Sequence, residues 1–557
     1  MRHPWWKTSV VYQIYPKSFY DATGDGIGDL KGVIEKLDYI KELGADVIWL
    51  TPIYQSPERD NGYDISDYYR INEKYGTMED FHRLVDEAHK RNIKIIMDMV
   101  VNHTSTDHPW FQEARSCKSS QYRDFYIWKN GKEDGSEPTN WSSKFGGSAW
   151  EYDEKSGQYY LHLFDVTQAD LNWENETLRK KIYEMMHFWL QKGVDGFRLD
   201  VVNLLSKDQR FLDDESGDGR KYYTDGPRIH EFLNEMNRNV FSQYDIMTVG
   251  EMSSTSIDHC IRYTNPNRQE LNMVFQFHHL KVDYPNGEKW AVAHFDFLAL
   301  KQILAEWQVN MHKGGGWNAL FWCNHDQPRI VSRYGNDGKY RIESAKMLAT
   351  TIHCMQGTPY IYQGEEIGMT DPKFDRIEEY RDVESLNMYR IMKEKGMQEK
   401  EIIEILKRKS RDNSRTPMQW NDSLHAGFTK GTPWINAAPN YKEINVEKAL
   451  KDRNSIFYHY QKLIQLRKQY DILTTGDFQL ILPDHPEIFA YLRNTDDEKL
   501  LVINNFFGKE TFFQLPKEVD IEEYTGEILL ANYPDPPRNV HEMLLRPYES
   551  IVFHFTR

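Results

Sequence analysis

The sequence predicts an α/β chain: a (β/α)8 barrel with a subdomain inserted after its third strand, followed by a C-terminal antiparallel β-sandwich. Three observations predict it. Eight short apolar segments are interleaved with amphipathic helical ones, the pattern of a parallel sheet covered on both faces and closed into a barrel. The alternation breaks once, from about His103 to Trp173. After Gly476 the texture changes to short strands parted by Pro, Asp, Asn and Gly, as in a small sandwich. The boundaries that follow are 1–103 and 174–474 for the barrel, 104–173 for the insert and 475–557 for the sandwich.

The elements follow in order. Val10 to Tyr15 is a β-branched and aromatic run closed by Pro16, a buried-strand signature. Leu30, Val33, Leu37, Ile40 and Leu43 fall at helical spacing, with Gly44 as the stop. Ala45 to Leu50 is the second strand. Met78, Phe81, Leu84, Val85 and Ala88 form a helical face opened by Thr77, with Asp80 completing a capping box. Lys94 to Met99 is the third strand. The insert is rich in Gly, Ser, Trp, Tyr and Asp and shows no helix of useful length. A helix at 178–192 leads into the fourth strand, which ends at Asp200. Later strands are 246–251, 273–275, 318–322 and 359–362. Residues 371–409 read as a charged, helical surface insertion, 206–227 as a mobile rim, and 455–470 as a last amphipathic helix.

Composition excludes several function classes. The 557 residues suffice for two or three domains. Hydrophobic and charged shares of 39% and 28% are those of a soluble globular protein. A net charge of −16, from 69 basic and 85 acidic residues, lacks the basic footprint of a nucleic-acid binder. An anionic substrate would therefore need a local basic pocket. The four cysteines are scattered without a CxxC pair, and the start MRHPWWKTSVVYQIYP has no apolar leader region. No run approaches membrane-spanning length. The expectation is a cytoplasmic chain without membrane or nucleic-acid partners, monomeric or weakly homo-oligomeric. The aromatic share of 14% suits stacking on sugar rings, although large cores use aromatics too.

In a barrel the carboxyl ends of the strands form the active face. Here they carry Asp98, Asn102 and His103, then Arg198 and Asp200, then Glu251, then His325 and Asp326. In the octapeptide GVDGFRLD (193–200), Arg198 precedes Asp200 by two residues, so strand alternation points both the same way. Taken alone, that pair is as readily structural as functional. Three carboxylates at three strand ends are hard to explain by packing, since they repel and raise one another's pKa. Two carboxyls with opposed protonation suit glycosidic cleavage. Arg198 would hold Asp200 ionised as nucleophile, and Glu251 would be the proton donor and later the base. Asp326 would stabilise the oxocarbenium-like transition state, with His103 and His325 donating hydrogen bonds to hydroxyls.

DMVVNH (98–103), GFRLD (196–200), VGE (249–251) and NHD (324–326), with QIYP (13–16) and NGYD (61–64), resemble in order the sequence regions of the α-amylase superfamily of glycoside hydrolases. The resemblance covers the whole chain. It implies a retaining mechanism with Asp200 as nucleophile, Glu251 as acid/base and Asp326 as stabiliser, and no catalytic cofactor. It also implies that Asp64, positioned by Tyr63, grips the non-reducing glucose with Arg415 as partner, closing the pocket for exo action. Phe145 and Phe164 join the expected sugar contacts. In DATGDGIGD, Asp21, Thr23, Asp25 and Asp29 alternate with Ile27 able to offer a carbonyl, which resembles half of an EF-hand loop without its last glutamate. Similar members hold a structural Ca2+ or Mg2+ there; the alternative is a solvated acidic turn.

Val201 after the nucleophile resembles the α-1,6 branch of the family. MSSTSIDHCIRYT (252–264), FHHLKVDYPNGEKW (277–290) and GGGWNALFWCNHDQP (314–328) resemble more narrowly the branch acting on α,α-trehalose 6-phosphate. A sugar phosphate needs local cations. His278, His279, Lys281 and Lys289 follow the sixth strand, and Lys281, His279 and Lys289 are the expected phosphate contacts. The rivals are an oligo-1,6-glucosidase or isomaltase, a sucrose isomerase-type glucosyl transferase, and a non-enzymatic transporter-subunit homologue. The complete carboxylate set argues against the last.

Overall fold

The computed structural model describes residues 3–557. Eight parallel strands form the barrel: β1 (Val11–Ile14), β2 (Val47–Leu50), β3 (Lys94–Met99), β4 (Gly196–Leu199), β5 (Met247–Glu251), β6 (Met273–Phe275), β7 (Ala319–Leu320) and β8 (Thr358–Tyr362). Hydrogen-bonded pairing runs unbroken from β6 back through β1 to β8 and β7. One parallel bridge, Val274 to Asn318, closes the ring between β6 and β7. That seam is short because the Phe321 carbonyl, which would extend β7, accepts instead from His279 Nε2 at 2.8 Å. The strand expected over 318–322 therefore ladders over two residues only.

The strands are buried on both faces, which is why they read as continuous apolar runs. The first helix breaks into Leu30–Glu35 and Leu37–Leu43, because Lys36 leaves helical backbone. Gly44, at φ 99°, caps the second piece in the left-handed region. Thr77 and Asp80 make the reciprocal capping box. Among the described residues no helix is long and apolar enough to cross a membrane.

The insert leaves and rejoins the barrel as an antiparallel pair, with His103 opposite Asp170. It contains a three-stranded antiparallel sheet and, contrary to expectation, a helix at Pro109–Ser116. His108 caps that helix through Nδ1, and proline sits in its first turn. The segment 206–227 is ordered by Trp141, whose indole donates to the Leu212 carbonyl, and by Asn140, which bonds the Asp214 backbone. The segment 371–409 is more than a surface insertion. Its helices Val383–Glu394 and Glu399–Lys409 bury Ile402, Ile403 and Leu406 and carry buried Asp382 and Glu384 toward the barrel mouth.

At the C-terminus a five-stranded antiparallel sheet, β9 (Asp477–Ile481), β10 (Ile488–Asn494), β11 (Glu498–Asn505), β13 (Thr525–Ala531) and β15 (Ser550–Thr556), faces a two-stranded one, β12 (Thr511–Gln514) with β14 (Glu542–Leu545). Alternation divides β10 cleanly. Ile488, Ala490 and Leu492 enter the sandwich core, while Phe489 and Tyr491 join the barrel core. Arg493, on the barrel side, is buried and donates to the Cys354, Leu473 and Gly476 carbonyls.

Candidate active site

The site is built from β4. Gly193 ends the preceding helix at φ 91°. Gly196 has no substitute, since a Cβ there would lie 1.9 Å from the Met247 carbonyl oxygen of β5. The two strands can pair only with glycine at this position. Arg198 then rises into the barrel, fully buried. Its Nη1 donates to Asp98 Oδ1 at 2.8 Å and to Asp200 Oδ1 at 2.7 Å, and its Nη2 donates to Glu251 Oε2 at 2.6 Å. One guanidinium thus joins carboxylates from β3, β4 and β5. Asp98 also accepts from Tyr63 OH at 2.9 Å and Trp49 Nε1 at 3.2 Å, so it anchors the arginine rather than facing substrate.

Beyond Asp200 the chain turns sharply. Val201 sits at φ 36°, ψ 40°, a left-handed conformation rare for a β-branched residue. The turn aims the Val201 N–H at Glu251 Oε2, 3.1 Å away. Glu251 Oε2 therefore accepts two hydrogen bonds, which leaves Oε1 to carry a proton.

Arg198 does not depress the Asp200 pKa below the ordinary range as the sequence implied. Burial raises it against the attraction of Arg198, with Asp98 adding repulsion, giving about 6. Asp200 is still ionised at neutral pH. Glu251 is pushed up to about 8 by burial, against the pull of Arg198, with Asp200 and Asp326 adding repulsion. The two groups hold opposed protonation states at neutral pH, as a nucleophile and a general acid require.

Asp326 is charged. Burial works against its ionised form, but His325, Arg411 and Arg415 hold it well below the usual carboxylate range. Burial keeps His325 itself neutral, with a pKa near 3, so at neutral pH the arginines carry this effect. Arg415 Nη2 donates to Asp326 Oδ1 at 2.8 Å and its Nε to the His325 carbonyl at 2.8 Å. Gln13 Nε2 donates to His325 Nδ1 at 2.8 Å, which places the imidazole proton on Nε2. The ring stacks on Tyr63 at 5.1 Å. His103 is also neutral through burial, at about 4. It lines the pocket while its Nε2 donates to the Tyr63 carbonyl at 3.2 Å.

Four expected contact residues are placed differently by the structure. Asp64 is fully buried and accepts from Ser56 Oγ, Arg59 N and Asp60 N, closing its own loop. Asp60 lines the pocket in its place. The Asn61–Gly62 turn, with φ of 48° and 102°, reverses the chain between the two aspartates. Asp60 Oδ1 accepts from Arg411 Nη2 at 2.8 Å, and Arg411 also binds Asp382 at 2.6 Å and Asp326 at 3.3 Å. Arg411, not Arg415, is the pocket-lining arginine, and Arg415 stands behind Asp326. His279 is buried with both ring nitrogens engaged, on Gln276 Nε2 and the Phe321 carbonyl, so neither is free in this structure. Lys289 does line the pocket, but its ammonium is bound by both oxygens of Glu384 at 2.7 and 2.8 Å.

Phe145 and Phe164 form an apolar wall, edge-to-face at 5.5 Å. Asp200, Glu251 and Asp326 line the pocket together with Asp60, Arg411, Gln168 and Lys144. Asp60, Gln168, Arg411, Glu384 and Lys144 are site residues that the sequence reading missed. Asp60 and Arg411 each lie four positions before the residue chosen, within RDNGYD and RDNSR. Spacing within a turn could not tell which member faces inward.

A family model described as the α-amylase catalytic domain matches residues 13–476, and one described as the SusG-type C-terminal domain of an α-amylase matches 488–552. The chain belongs to the α-amylase family. This family member is 69% identical to trehalose-6-phosphate hydrolase of Bacillus subtilis (strain 168), covering 100% of this chain and 99% of that protein. It is 56% identical to oligo-1,6-glucosidase of Parageobacillus thermoglucosidasius, covering 99% of each. The crystal structure of Bacillus licheniformis trehalose-6-phosphate hydrolase superposes with a TM-score of 0.96 at 72% identity, covering 100% of both chains.

Two outcomes are expected. The pH profile of kcat/KM on a neutral nitrophenyl α-glucoside should be a bell with limbs near pH 6 and 8, rate being lost below as the Asp200–Glu251 pair gains its second proton and above as it loses its first. An alkaline limb beyond pH 10 would contradict Glu251 as the acid. Asp60→Ala should lower kcat/KM by about 10²-fold, and it should also cost stability because buried Arg411 and Gln168 lose an acceptor. Asp64→Ala should destabilise the fold by about 1–3 kcal/mol, read by urea unfolding, because three donors lose their acceptor.

Proposed function

We propose that this enzyme is a retaining glycoside hydrolase that cleaves α,α-trehalose 6-phosphate to glucose and glucose 6-phosphate. The observation that carries it is one pocket lined by the Asp200–Glu251 pair, by the Asp60–Arg411 ion pair that Asp382 buttresses, and by Lys144, a cation that feels the Glu251 charge. The terminal glucose would lie against the ion pair and the phosphorylated leaving sugar toward Lys144. The names of the relatives at 69% and 72% identity agree with this reading.

Asp200 Oδ1 is engaged by Arg198, so Oδ2 attacks the anomeric carbon. Glu251 Oε1 passes its proton to the bridging oxygen as the C–O bond breaks, and glucose 6-phosphate leaves. Positive charge developing on the ring is stabilised by the ionised Asp326. Glu251, now a carboxylate, takes a proton from water; the hydroxyl adds to the anomeric carbon, freeing Asp200 and glucose. Arg198 touches both carboxyls throughout and stabilises whichever is ionised. These groups all come from one chain, so the site needs no partner subunit. Its cysteines are free thiols, and a reducing cytoplasm suits both them and a sugar-phosphate substrate.

The acidic loop at 21–29 suits a structural divalent cation. Asp21 and Asp29 are buried, yet among the described residues neither has a Lys or Arg partner; both carboxylates accept only backbone amides and hydroxyls. Burial raises Asp29, against those amide bonds. All candidate ligands are oxygens, as Ca2+ or Mg2+ prefers. No group of three His, Cys, Asp or Glu side chains converges among the described residues, so Asp21, Asp25 and Asp29 would not enclose an ion by themselves, and Thr23 and the Ile27 carbonyl would have to complete the set. The ion would stabilise this loop and take no part in the chemistry.

Two experiments test these readings. At matched concentration, trehalose 6-phosphate should exceed isomaltose and nitrophenyl α-glucoside as substrate. Isomaltose winning decisively would make the chain an oligo-1,6-glucosidase, the reading favoured by Val201 in the pocket wall and by the 56% relative. Chelation should lower Tm by several degrees and millimolar Ca2+ or Mg2+ should restore it; an unchanged Tm would remove the metal.

A further inference from the structure

We infer that Asn203 is a positioning residue for the acid/base: its carboxamide clamps the loop that follows Glu251 to the turn that follows Asp200. The inference rests on the roles of Asp200 and Glu251 proposed above. Asn203 lies in the one-turn helix Val202–Leu204, just beyond the nucleophile, and is fully buried. Its Oδ1 accepts from the Ser253 N–H at 3.1 Å. Its Nδ2 donates to the Ser254 carbonyl at 2.7 Å and to Asp225 Oδ1 at 3.2 Å. These partners allow the amide one orientation, because the N–H needs an acceptor while the carbonyl and the carboxylate need a donor.

The clamp stands where regular structure stops. β5 ends at Glu251, and the Met252 N–H makes a last tie toward β6, on the Phe275 carbonyl at 3.1 Å. The next helix begins only at Ile257, capped by Ser256. Between them, the Ser253 N–H and the Ser254 carbonyl find their partner in the Asn203 side chain. The same turn reaches Glu251 at a second point, through the Val201 N–H on Oε2. Holding both the carboxyl and the backbone beyond it fixes the direction of the acid as well as its distance from Asp200.

Asn203 is itself held. Its carbonyl accepts from the Asp225 N–H at 2.9 Å, so the two residues exchange two hydrogen bonds. Asp225 Oδ1 also accepts from Tyr263 OH, on the helix Ile257–Thr264 that continues the Glu251 loop. The contacts therefore form a ring around residues 253–256. An apolar side chain could fill the space of Asn203, but it would leave the Ser253 N–H, the Ser254 carbonyl and one bond of Asp225 unanswered. A small displacement of a general acid from the leaving oxygen costs rate steeply.

The test uses the leaving group. A departing sugar needs a proton from the acid, whereas fluoride leaves as a stable anion without one. Asn203→Ala, Asp225→Ala and, as reference, Glu251→Gln are compared with the parent on α-glucosyl fluoride and on a sugar-leaving substrate, trehalose 6-phosphate or isomaltose. kcat/KM reports formation of the glucosyl–enzyme, the step the acid assists. In Asn203→Ala it is expected to fall about thirtyfold or more for the sugar-leaving substrate and less than about threefold for the fluoride. Retained fluoride hydrolysis also shows that the variant is folded. Asp225→Ala, at a part-exposed position, should show the same split at about three- to tenfold, and it decides the matter if Asn203→Ala does not fold. Equal losses on both substrates would make Asn203 a purely structural residue. If Glu251→Gln shows the split and the other variants do not, the clamp is wrong and the catalytic roles stand. If Glu251→Gln does not show it, the acid/base role falls and the clamp with it.

Discussion

The site depends on a shortage of positive charge. Six carboxylates, Asp98, Asp200, Glu251, Asp326, Asp60 and Asp382, face three buried guanidinium groups, Arg198, Arg411 and Arg415. Full ionisation of all six would leave uncompensated charge in a dry cavity, which is prohibitive. Protons must remain, and geometry decides where. Asp326 and Asp382 each lie beside two guanidinia and are held ionised. Asp98, Asp200 and Glu251 divide one, and Glu251 retains its proton furthest. The general acid is thus the carboxyl for which attraction runs out.

Sharing one cation also fixes positions. Arg198 cannot satisfy three carboxylates unless β3, β4 and β5 hold register, and Gly196 is the residue that lets β4 and β5 approach. The strain at Val201 belongs to the same economy of space: a left-handed turn immediately after Asp200 supplies a backbone N–H to Glu251. The barrel, the turn and the guanidinium together hold nucleophile and acid in a preorganised pair, so little reorganisation accompanies reaction.

The pocket walls come from less regular parts of the chain. Phe145 and Lys144 belong to the insert, and Glu384 and Arg411 to the charged helical segment and the turn that follows it. The common barrel chemistry is set in the strands, while the loops set what may enter. The same loops bring the Asp60–Arg411 ion pair and Lys144 into one pocket with the catalytic carboxyls.

Much was legible in sequence because it is local or periodic. The apolar runs gave the eight strands through their double burial, and the carboxyl ends of β4, β5 and the β7 region carried Asp200, Glu251 and Asp326 as ordered motifs. The capping box at Thr77 and the change of texture near Gly476 were equally local. Tertiary structure alone decided which of two nearby candidates faces the substrate. Asp60 or Asp64 depends on a reversal at Asn61–Gly62, and Arg411 or Arg415 on reach across the mouth. His279 proved to be a strap for the short β7, and Lys289 a partner of Glu384. The direction of the Asp200 shift likewise lay beyond the Arg198–Asp200 spacing, because burial raises it and Asp98 and Glu251 share the same cation from strands remote in sequence. Spacing reports neighbours along a chain; charge and burial depend on neighbours in space.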